Sequence, residues 1–129
     1  MNVKARIRRF VMQRYWKMDI HPSARIANTA YIDRTWPGGI HIGAGAIVDE
    51  EASVLTHDMT RGIYLDTHVG EGSYLGIRAI VMPGITIGKH CHILAGAVVT
   101  RDVADGQRVA GNPAKVVNAP KLDHEIAAI

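Results

Sequence analysis

Residues 63–104 read IYLDTH VGEGSY LGIRAI VMPGIT IGKHCH ILAGAV VTRDVA when written in sixes. Every block opens on a branched aliphatic residue: Ile63, Val69, Leu75, Val81, Ile87, Ile93 and Val99. Ile, Leu and Val make up 32 of the 129 residues. Seven consecutive hits in one register would arise by chance roughly once in ten thousand trials. The fifth positions are mostly small or compact: Thr67, Ser73, Ala79, Cys91 and Ala97, with Ile85 and Val103 larger. A period of six is neither helical nor a plain alternating strand. It fits a short strand and a turn, with the branched and the small residue both facing inward.

The register extends toward the N-terminus through Ile20, Ile26 and Ile32 and then Ile42, Val48 and Val54, with Ala24, Ala30, Ala46 and Ala52 at fifth positions. Spacing predicts an insertion of four residues around Trp36–Gly39 and one of three around Thr60–Gly62. Beyond Val99 the next candidate is Val109. Three six-residue units close a triangular coil of about 18 residues, so residues 18 apart lie over one another at about 4.8 Å. Fourteen units make roughly four and a half coils. The expected fold is all-β: a parallel β-helix over residues 20–118, preceded by a basic helix or cap at 1–19 and followed by a tail at 119–129.

Composition agrees. A chain of 14.0 kDa has room for one domain. Its 5% aromatic content and 13 glycines favour thin layers of small and β-branched side chains over a helical bundle. No apolar run is long enough for a membrane span or a signal peptide. A single cysteine forms no internal disulfide, and with these features it points to a reducing, cytoplasmic compartment. The net charge of +3 is mild, and no nucleic-acid motif accompanies it. In residues 1–18, Val3, Ile7, Phe10, Val11 and Met18 form a partial helical stripe among basic residues. A helix capping the first open coil is the expected role, and a basic surface helix touching an anionic membrane is the alternative.

The hexads, together with 82–88 (MPGITIG), 95–103 (AGAVVTRDV) and 110–117 (AGNPAKVV), resemble the C-terminal signature of the hexapeptide-repeat acyltransferases, in particular the sugar and maltose/galactoside O-acetyltransferase group. That resemblance implies a left-handed β-helix, although simple crossovers favour the right hand. It also implies acetyl-CoA as acyl donor, no metal, and a homotrimer with sites between subunits.

Of seven histidines, His57 differs in placement: it follows Val54-Leu55-Thr56 at a turn, directly before the 58–62 bulge. Imidazole takes a hydroxyl proton near neutral pH, and Thr56-His57-Asp58 matches the position of the family's catalytic histidine. By the same resemblance Gly76 and Ala95 would flank the pantetheine arm of CoA, Thr100 and Arg101 would meet its far end, and Lys115 would lie near the phosphates. Asp33 and Asp58 are candidates for binding the acceptor or for orienting His57. Cys91, in an inward slot, is expected in the core and not as a nucleophile. Tyr74, Ile77 and Asn118 depart from the family's usual residues, and the loop after His57 is shorter than in the disaccharide enzymes, so disaccharide specificity is not implied.

Three other readings use the same scaffold. Serine acetyltransferase has a longer histidine loop and a helical N-terminal domain. A non-catalytic assembly module would need neither His57 nor the GNPAK segment. A γ-class carbonic anhydrase needs histidines five residues apart in one turn, yet Gly62 and Ser73 stand five after His57 and His68.

Overall fold

The computed structural model describes residues 2–117; the predicted tail at 119–129 lies outside them. Short strands stack into three parallel faces. The first face holds Asp19–Ile20, Ile40–Ile42, Thr67–Val69 and Thr86–Ile87. On the second lie Arg25–Ile26, Ile47–Val48, Tyr74–Leu75, His92–Ile93 and Arg108–Ala110, closed by the antiparallel Lys115–Val116. The third consists of Tyr31–Ile32, Ser53–Val54, Ile80–Val81 and Val98–Val99.

The core follows from the period. Val48, Val54, Leu75, Val81 and Ile93 are fully buried first-position residues, and Ala46, Ala52, Ser73, Ala79 and Ala97 are fully buried fifth-position ones. A large and a small inward residue on each side fill the triangular cross-section. Cys91 sits in this core as expected, its thiol 3.1 Å from the Ala104 carbonyl oxygen.

Where units are regular, register is 18: Leu75 pairs with Ile93 and Val81 with Val99. Ile20 pairs with Ile42, 22 residues on, which matches the predicted four-residue insertion. The second insertion is larger than its spacing suggested. Ile42 pairs with Val69, 27 residues on, so nine extra residues interrupt the coil. Ile63 does not begin a coil side; with Tyr64 it forms an antiparallel hairpin against His57–Asp58. Its aliphatic side chain fell on the register by coincidence. A fourteenth side exists elsewhere: Val103 bridges to Ile87, so the ten residues from Val99 to Val109 divide into a shortened turn of four and a normal six.

The N-terminal helix, Val3–Phe10, is capped by Asn2, whose side chain accepts from the Ala5 N–H at 2.8 Å. Its apolar stripe differs from expectation: Val3, Ile7 and Phe10 are exposed, while Met12 and Met18 beyond the helix reach the core. The cap acts through polar contacts. Arg8 donates to the carbonyls of Ala27 and Ala30, Arg9 to those of Pro22 and Ala24, and Gln13 to that of Ile20. Strand-edge carbonyls of the first coil thus meet side-chain donors. No helix among the described residues is long and apolar enough to cross a membrane.

Candidate active site

In a regular unit the fourth residue closes the corner in the left-handed region, as Gly45, Gly72, Gly84 and Gly96 do. His57 holds the corresponding place after Val54, but there the chain leaves the coil and runs out along the hairpin. The imidazole stands at the root of that hairpin with its side chain 21% exposed.

Beneath it lies Asp33, fully buried at the foot of the preceding insertion. Its Oδ2 accepts from the Thr56 N–H at 3.0 Å, the His57 N–H at 3.2 Å and the His57 Nδ1 at 2.7 Å. Oδ1 accepts from the Thr35 N–H at 2.9 Å. Burial alone would raise this carboxyl, but the bonds from the Thr56 N–H, the His57 ring and the Thr35 N–H outweigh it and hold it below the usual carboxylate range. A buried carboxylate facing Nδ1 fixes the tautomer: Nδ1 carries the proton, and Nε2 is left with its lone pair. Of the two roles the sequence left open for Asp33, binding an acceptor or orienting His57, its full burial and its bond to Nδ1 fit the second.

Asp58 is engaged within the hairpin. Its carboxylate accepts from Arg61 Nε at 2.7 Å and from the backbone N–H groups of Thr60 and Arg61. These bonds, the Arg61 side chain first among them, hold it below the ordinary carboxylate range. Sequence reasoning passed over two aromatic neighbours. Tyr64 packs near the His57 ring with centroids 6.4 Å apart, and Trp36 lies 6.0 Å from Tyr64. An aromatic inside an insertion, in a chain with so few, was the available signal.

The residues expected to hold CoA fall on two corners. Thr100 and Arg101 follow the third face, two coils along the same corner as His57, and are exposed. Gly76 and Ala95 follow the second face, on the adjacent corner. Gly76 is buried: its N–H donates to the Ile93 carbonyl, and a Cβ there would meet the Ala95 backbone nitrogen at 2.7 Å. Ala95 above it is exposed, as is Lys115 in the closing antiparallel strand. One chain therefore does not bring Gly76 and Ala95 together with His57. A groove of about 700 Å³ lies on the first face, bordered by His41, His68 and Lys89, and does not include His57. Among the described residues no three His, Cys, Asp or Glu side chains converge as a metal site would require.

Residues 66–101 match the family described as bacterial transferase hexapeptide (six repeats). Over 106 residues the chain is 36% identical to serine acetyltransferase 4 of Arabidopsis thaliana, covering 78% of this chain and 29% of that protein. A maltose O-acetyltransferase from Clostridium difficile 630 superposes with a TM-score of 0.68 at 19% identity, over 91% of this chain and 76% of that one. For a hexapeptide-repeat acetyltransferase from Vibrio cholerae the TM-score is 0.70 at 16% identity, over 94% and 84%. At these identities the two structural matches establish the fold. Residues 66–101 match the hexapeptide repeat described for bacterial transferases, and the chain folds as a left-handed β-helix. It spans about 30% of the length of the curated relatives it matches.

Proposed function

We propose that the protein is a CoA-dependent O-acetyltransferase that moves an acetyl group from acetyl-CoA to a hydroxyl of a sugar or glycan precursor. The observation that carries this reading is the pairing of His57 with the buried Asp33 at an interrupted corner of a hexapeptide-repeat coil. In this mechanism Nε2 of His57 removes the proton from the acceptor hydroxyl, and the oxygen attacks the thioester carbonyl carbon. Asp33 stabilises the imidazolium that forms, as a buried carboxylate does in other His–Asp pairs. Backbone N–H groups of a neighbouring turn would stabilise the tetrahedral oxyanion. Collapse breaks the C–S bond, and the imidazolium returns its proton to the CoA thiolate. The transfer is direct, with no acyl-enzyme.

For the donor, Ala95 offers an exposed turn to the pantetheine arm, and Gly76 lets that turn approach closely. Thr100 and Arg101 would meet the far end and Lys115 the phosphates. The split of these residues over two corners supports a homotrimer in which His57 of one copy faces the Gly76–Ala95 corner of the next. The similarity to serine acetyltransferase 4 of Arabidopsis thaliana favours L-serine as a second acceptor reading.

Thiol release from acetyl-CoA with a panel of sugars and serine, comparing wild type with His57→Ala, tests the reading. Acceptor-dependent release should fall at least about a hundredfold in the variant, the scale of losing a general base. Release that is indifferent to the substitution would remove His57 from the mechanism.

A further inference from the structure

The two insertions that border His57 are unlike in their charged and their apolar residues. Each carboxylate in them has a partner within the chain. Asp33 is bound to His57, Asp58 to Arg61, and Asp66 faces His41 at 3.3 Å. The Arg34 guanidinium lies over the Trp16 ring at 6.0 Å. The aromatic side chains beside the histidine are open: Trp36 is 43% exposed and Tyr64 is 60% exposed. Neither ring is loosely held. The Thr56 hydroxyl donates to the Trp36 carbonyl at 2.8 Å, and the indole lies against Gly39, where a Cβ would come within 2.5 Å of Trp36 Cδ1. Tyr64 is fixed by the hairpin register with His57.

Resting on the acetyltransferase reading, we propose that Trp36 and Tyr64 form the acceptor platform, and that the acceptor is a neutral pyranose ring laid by its C–H face on these aromatics with a rim hydroxyl at His57 Nε2. The two planes meet at 57°, so they make an angled seat and not a slot with parallel walls for a flat aromatic ligand. A pyranose combines an apolar face, which the electron-rich face of an aromatic ring attracts, with hydroxyls around its edge. A small zwitterion such as serine needs both a cation and a free anion at the site, and the carboxylates of these loops are already engaged.

The test has two arms. Trp16→Phe leaves Trp36 as the sole tryptophan, and its emission is followed while methyl glucoside, methyl galactoside and methyl mannoside are titrated with CoA present. Saturable quenching or a shift by at least one pyranoside, absent with L-serine and glycerol, is the expected result. Silence toward all three sugars overturns the platform. In the second arm, Trp36→Ala and Tyr64→Ala should each raise the pyranoside KM by about tenfold or more, the scale of one lost stacking contact. The KM for acetyl-CoA should stay unchanged and Trp36→Phe should restore most of the loss. Gly39→Ala, which displaces the indole without removing it, should act like Trp36→Ala. Unchanged pyranoside KM in the alanine variants, or serine turned over as well as the best sugar, would sink the platform while leaving His57-dependent transfer intact. Loss of His57 dependence would instead sink the acetyltransferase reading.

Discussion

Two turns of this molecule leave the third face one coil apart and have opposite fates. After Val81 the chain passes Met82-Pro83-Gly84, closes with Gly84 at φ +83°, and resumes the coil at once. After Val54 it runs through Leu55 and Thr56 and then spends nine extra residues on a hairpin before Val69. The flanking strands stack in register with each other, Val54 on Val81. The repeat therefore tolerates the excursion without losing its core. Regular corners hold the scaffold together, whereas the interrupted corner carries the groups with chemical potential.

The most drastic way to break this contrast is to make the two corners alike. Deleting residues 57–65 restores a spacing of six between Val54 and the residue now at Val69. Made in an Asp33→Ala background, which avoids a buried carboxylate stripped of the His57 ring, the shortened chain should keep its β-sheet circular dichroism and lose all thiol release. A deletion that unfolds would show that the hairpin is part of the scaffold.

Asp33→Asn comes next. The amide keeps the shape but cannot hold His57 in the same tautomer, so kcat should fall about a hundredfold or more, with little change in the KM for acetyl-CoA. Stability should fall too, by about 1–3 kcal/mol, because buried N–H donors lose an ionised acceptor. The sign with pH follows from a carboxyl held low in the folded chain. Its contribution is complete above the unfolded value near 4 and is lost as pH falls through the lower folded value. The gap between the denaturation curves of wild type and Asp33→Asn should close as pH falls below about 4.

The contrast is sharpened from the other side by Leu75→Ala, at a fully buried position on a regular side. It should cost about 2–5 kcal/mol of stability. Per folded molecule, kcat should stay close to wild type, as measured well below the melting transition.

Repetition explains what could be read in advance. Each coil side needs one branched and one small inward residue, so the period is written in residue types and the three faces follow. Ile63 and Val103 mark where that logic fails. Spacing alone cannot tell an aliphatic residue in an insertion from one in the core, and a shortened turn plus a normal one add up to a plausible gap of ten. His57 was singled out by its place at a turn directly before an insertion and by the resemblance of Thr56-His57-Asp58 to the family's pattern. Asp33 was visible as a neighbour in the preceding coil, but its role depends on burial and on the hydrogen bonds it collects. The exposed stripe of the N-terminal helix misled for a related reason: Arg8 and Arg9 face the coil because strand-edge carbonyls demand donors, which outweighs the apolar pattern.

That cap has a counterpart at the far end. There Asp102 and Asp105 accept from the backbone N–H groups of Thr86 and Lys89, and Gln107 from that of Ala104. A stacked coil has no natural length, since each layer is as good a template as the last. Guanidinium and amide donors finish one end, carboxylate and amide acceptors the other, and each terminator suits only the edge it covers.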